Sequence, residues 1–165
     1  MSLDEVSQIL WRERQLLDLL LCKLEVEQLV LAAGRTRWLP AVTREVEYVL
    51  AEVKQVELLR AVLVGAAAEQ LGLDPGCTLR ELAAAAPEPW DGILEQHRAA
   101  FLTTAEELKG IARVNRDLLS QGARAVEEAL DWLSESADRP MAHTYSPVGA
   151  SSGAPVGARF VDGRL

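Results

Sequence analysis

Aromatic residues are scarce in this chain of 165 residues: four Trp, two Tyr and two Phe. Because 49% of the residues are apolar, any core must be built mainly from Leu, Val and Ala, a composition that favours long helices over strands. Cysteine is scarcer still. Cys22 and Cys77 are too few and too far apart in sequence for a disulfide framework or a metal clip, and Cys22 lies in an apolar helical run where a thiol acts as a small hydrophobe. The two histidines make no metal pattern. A di-iron bundle needs Glu-x-x-His pairs, and Glu95-Gln96-His97 has the wrong spacing. A Gly-rich phosphate loop, a Cys/His cluster and a suggestively spaced Ser/His/Asp set are all missing. These absences leave no catalytic residue, metal or cofactor to assign, so no enzyme is expected. Positive charge is also in deficit. The net charge of −8 argues against nucleic acid as a partner. Charges interrupt every long apolar run, so no segment is expected to enter a membrane, and the opening residues lack the form of a secretion signal. The expectation is one soluble, cytoplasmic, acidic protein.

What the sequence does contain is helical periodicity. Ser2-Leu3-Asp4-Glu5 has capping-box spacing. Leu3, Val6, Leu10, Leu17, Leu20, Leu24 and Leu31 then follow a three-four repeat in which Glu13 and Glu27 occupy two slots, up to Gly34. This predicts a helix over about 3–33. Arg35 and Arg37, beside Gly34, sit where cations favour a helix C-terminus. A second helix over 37–72 carries the cleanest seam, Leu39, Val42, Val46, Val49, Val53, Val56 and Leu63, broken at Arg60. Asp74-Pro75-Gly76 forms a turn. Thr78-Leu79-Arg80-Glu81 opens a short helix over 79–86 that Pro87 and Pro89 stop.

The third long helix is predicted over 90–134. Its seam reads Leu94, His97, Phe101, Thr104, Leu108, Ile111, Asn115, Leu118, Gly122, Ala125, Ala129 and Trp132. The second half is thin along that line, while Leu119, Val126, Leu130 and Leu133 broaden the apolar face. Such a face, short of partners, fits a helix supplied by another chain. His97 reads as a hydrogen-bonded core histidine. Asn115 either fixes register or touches backbone, or else it meets a bound partner. Beyond Ser136 the periodicity stops. Residues 137–165 hold three Pro and four Gly, carry a charge of +1 against −9 for residues 1–136, and are expected to form a flexible tail. The predicted fold is therefore all-α: three long helices in an antiparallel, coiled-coil-like bundle over 1–136, one short connector helix, and a disordered C-terminal tail.

Several stretches together resemble the FlgN family of flagellar type III export chaperones, in the form found in actinobacteria. They are "LWRERQLLDLLLCKLEVEQLVLAAGRTRWL" at 10–39, "APEPW" at 86–90, "VNRDLL" at 114–119, and the Gly-rich tail bearing Tyr145. The resemblance implies a helical, cytosolic, non-enzymatic chaperone. It would bind the C-terminal helices of the hook–filament junction proteins FlgK and FlgL and deliver them to the membrane export gate. Substrate binding in the family lies towards the C-terminal end, which here matches Asn115 to Leu133. A tail tyrosine is associated there with docking to the gate protein FlhA, and Tyr145 is the candidate. The apolar residues of the cargo site would be Leu118, Leu119, Val126, Leu130 and Leu133, unless these pack within the chain's own bundle. Two other readings stand beside this one. The first is a coiled-coil scaffold or homodimer pairing through the valine seam of the second helix. The second is a small secreted helical protein of the W-x-G kind, from Trp90-Asp91-Gly92.

Overall fold

A computed structural model describes the backbone of residues 2–138 and the side chains of residues 2–131. The described residues are helical, with no strand among them: α1 (Leu3–Ala32), a single 3-10 turn (Thr36–Trp38), α2 (Leu39–Gln70), α3 (Leu79–Ala85) and α4 (Trp90–Asp138). The tail, with Tyr145, lies outside the described residues.

Local chemistry sets most of these ends. Ser2 and Glu5 close the capping box of α1, and Thr78 and Glu81 close that of α3. Gly34 stands at φ +64°, and the amides of Gly34 and Arg35 reach back to the carbonyls of Leu31 and Val30, the Schellman pattern. Gly72, at φ +73°, ends α2 in the same way through Glu69 and Ala68. Pro40 falls in the first turn of α2, where its missing N–H costs nothing. Ala86 is extended, at ψ 142°, because Pro87 disfavours helical backbone in the residue before it. The last helix runs on to Asp138, since no helix-breaking residue intervenes before Pro140.

α1 and α2 form an antiparallel hairpin. Glu13 faces Arg60, Lys23 faces Glu45 and Glu27 faces Thr43, so one number rises as the other falls. The valine seam of α2 is closed within this hairpin. Val46, Val49 and Val53 pack with Leu20, Leu16, Leu17 and Leu24 of α1 and with Leu108 of α4, and Val56 is buried as well. That seam therefore does not serve as a surface for pairing with a second copy. At the open end of the hairpin, Val6, Leu10, Ala67 and Ala68 meet Leu82 and Ala83 of α3 and Leu94 of α4. Burying each of the larger side chains contributes ~1.5–3 kcal/mol. α3 thus closes the end of the bundle that the hairpin turn does not.

α4 runs parallel to α1. His97 meets Ser7 at a separation of 90 residues, and Asn115 meets Leu24 at 91. This fixed offset positions everything that follows.

Candidate functional site

The polar residues that interrupt the three seams find one another. Glu13 of α1, with a side-chain exposure of 4%, lies 3.3 Å from the Arg60 guanidinium of α2. Burial pushes the Glu13 carboxyl above the usual range; Arg60 pulls it down and Glu57 pushes it further up. Glu27 accepts from the Thr43 hydroxyl at 2.9 Å and from Asn115 Nδ2 at 3.0 Å. The same Nδ2 lies 3.0 Å from the Leu24 carbonyl. Asn115 is thus turned inward, buried to 3% exposure, and makes a backbone contact inside its own chain. His97 is buried at 1% exposure. Its Nε2 is 3.2 Å from Ser7 Oγ, its Nδ1 is 3.5 Å from Arg14 Nη1, and its ring meets the edge of Trp11 at 5.1 Å. An arginine cannot accept, so Nδ1 acts as the acceptor there and Nε2–H donates to Ser7.

Burial first, and then the Arg14 charge, lower the His97 pKa below its ordinary 6.5. The folded state therefore favours neutral His97. Its contribution to stability is complete above about pH 6.5 and is lost as the pH falls below that value. The raised Glu13 works in the opposite sense at lower pH, where taking up a proton favours the fold. The thermal unfolding midpoint is expected to drop between pH 6.5 and 5.5, and His97→Leu is expected to flatten that slope; an unchanged slope in the variant would assign it to other groups.

Beyond these layers, α4 changes character. Leu94, His97, Phe101, Thr104, Leu108, Ile111, Asn115 and Leu118 recur at three-four spacing, and all are buried or half-buried. From Leu119 to Asp131 every residue is exposed. The cause lies in α1. With an offset of about 90, Ala32, the last residue of α1, stands level with Gly122. Past that level, Ala123–Glu127 has no hairpin arm beside it. Amphipathic spacing continues where the neighbouring helix has ended.

The sequence-predicted residues are distributed accordingly. Leu118 is half-buried at the edge of the bundle. Leu119 is 42% exposed, Val126 59% and Leu130 59%. Leu119 and Val126 are seven residues apart, so they lie on one face of α4. Leu133 belongs to α4 but its side chain is outside the described residues, as is Tyr145. Asn115 faces the hairpin rather than the outer face. Among the described residues no group of His, Cys, Asp and Glu could hold a metal ion, and no helix is long and apolar enough to cross a membrane. One feature had no signal in the seam pattern. A hollow of about 670 Å³ opens between α1 and α2, lined by Leu19, Lys23, Ala41, Arg44, Glu45, Tyr48 and Val49. Tyr48 is 69% exposed, and its spacing from Leu58 and Val62 marks a second, outward line on α2 that the valine seam masks.

Comparison with protein-family models gives a match to FlgN protein over residues 1–153. The chain belongs to the FlgN family. FlgN proteins are flagellar export chaperones, a cytosolic and non-enzymatic family that binds flagellar hook-associated proteins. The FlgN match takes in both the exposed stretch of α4 and Tyr145. Comparison with curated proteins and with solved structures gives no match.

Proposed function

We propose that this chain is a cytoplasmic chaperone for the hook–filament junction proteins FlgK and FlgL, holding their C-terminal helices on the exposed face of α4. The observation that carries the reading is the run of unburied positions from Leu119 to Asp131 on a helix whose apolar spacing persists. An amphipathic cargo helix offers the missing partner, with anchors at helical spacing set against Leu118, Leu119, Val126, Leu130 and Leu133. Covering the cargo's assembly helix blocks premature polymerisation, because the same apolar surface would mediate both contacts. A few half-exposed anchors, offset by the cost of association, give an affinity on the order of micromolar. The family's gate-docking role falls to Tyr145, an aromatic that would enter a pocket on FlhA, leaving the helical body to the cargo.

Calorimetry with C-terminal peptides of FlgK-like and FlgL-like proteins tests this. Binding tighter than to an unrelated amphipathic helix is expected, and equal, weak binding to all three would sink the assignment. Tyr145→Ala is expected to leave cargo affinity and folding unchanged while impairing recruitment to FlhA. Loss of cargo affinity in that variant would refute the division of labour.

A further inference from the structure

The turn that joins α1 to α2 carries charge that nothing in the chain answers. Arg35 and Arg37 are exposed, and among the described residues neither is paired with a carboxylate, although the chain as a whole carries −8. The Arg37 guanidinium lies over the Trp38 ring, 4.7 Å from its centroid, and Trp38 is 50% exposed. Helix dipoles do not account for this pair. The C-terminal end of α1 favours cations, but the N-terminal end of α2, which begins at Leu39 with no acidic residue in its first turn, opposes them. Two guanidiniums on an aromatic base, placed between opposed helix ends, form a site for an anion brought by another molecule.

We propose that Arg35 and Arg37 receive the C-terminal end of the cargo helix, so that the cargo lies antiparallel to α4. This rests on the cargo reading given above and adds a polarity to it. α4 passes the level of the turn near Gly122 and leads away from it towards Glu127. A helix laid along Leu119 and Val126 therefore has one end against the turn. A helix C-terminus presents unbonded carbonyls and about half a negative charge, and a full carboxylate where the chain ends there. The reverse orientation would set a half-positive N-terminus against two guanidiniums. The apolar anchors fix how tightly the helix lies, and the arginines fix which way round it lies. Arginine and tryptophan also suit an anionic lipid surface, but a net charge of −8 repels one.

The test uses the full chain and a synthetic peptide of the FlgK-like C-terminal helix, made once with a free carboxylate and once as the carboxamide. Wild type is expected to bind the acid about three- to tenfold more tightly than the amide at low salt, with the difference collapsing at high salt. Arg35→Glu with Arg37→Glu is expected to weaken binding of the acid about tenfold and to abolish or invert the acid–amide difference. The same acid–amide ratio in wild type and variant overturns the polarity inference. Leu119→Ser with Val126→Ser separates the two levels. If wild type binds and this variant does not, while the arginine variant behaves as wild type, only the polarity fails; if wild type binds neither peptide, the cargo reading itself fails. Sedimentation with phosphatidylserine vesicles completes the set. Vesicle binding lost in the arginine variant, with peptide affinity intact, would assign the turn to lipid and overturn the proposal.

Discussion

Val126→Ser combined with Leu130→Ser is expected to abolish measurable cargo binding while leaving thermal unfolding within about 2 °C of wild type. Both side chains are 59% exposed in the free chain, so serine there removes little internal packing. In the complex the same atoms would leave water. Losing about 1 kcal/mol of apolar burial at each site, and placing two hydroxyls in the interface, weakens binding by ~30- to 100-fold. Calorimetry and thermal melts on the same preparation read the two quantities separately. A fall of about 10 °C in the unfolding midpoint would place Val126 and Leu130 in a core of the chain itself, and the cargo face would have to be sought elsewhere.

Leu94→Ala should do the reverse. Leu94 is fully buried, packed with Val6 and Leu10 of α1, Ala67 and Ala68 of α2 and Leu82 of α3. Truncation removes contacts to three helices at once and leaves a cavity, at a cost of ~2–5 kcal/mol. For a chain of this length that lowers the unfolding midpoint by roughly 5–15 °C. The cargo face begins about 37 Å away along α4, at ~1.5 Å per residue. Below the lowered midpoint, cargo affinity should therefore match wild type. An affinity that falls in step with stability would show that the two ends of α4 are coupled through the bundle.

The contrast between these substitutions bears on what the sequence could disclose. Helix ends were legible because they are written locally: the capping boxes at Ser2 and Thr78, the left-handed glycines at 34 and 72, and the prolines at 40 and 87. Seam breaks at Glu13, Glu27, Arg60, His97 and Asn115 were legible as breaks. Their pairings were not, because each depends on how far one helix is displaced against another, and seven-residue repeats allow several displacements. Two contacts, Ser7 with His97 and Leu24 with Asn115, fix that displacement for α4. They also decide between the two meanings open to Asn115: it is held by Leu24 and Glu27 of its own chain. The thin half of the last helix was visible as composition, but the reason it is bare lies in where α1 stops. Tyr48, Leu58 and Val62 went unread because a stronger repeat on the same helix hides their own.

The parallel offset between α1 and α4 makes the hairpin a ruler. The exposed stretch of α4 begins where the hairpin turn falls, so its extent is a difference between two lengths and not a property of the site's own residues. Adding one heptad to each arm of the hairpin would move the turn about 10 Å along α4 and cover Leu119 and Val126. Removing one would uncover Asn115 and Leu118. Chaperones built on this plan can therefore be matched to longer or shorter cargo helices by changes made in another part of the chain, with every residue that touches the cargo left as it is.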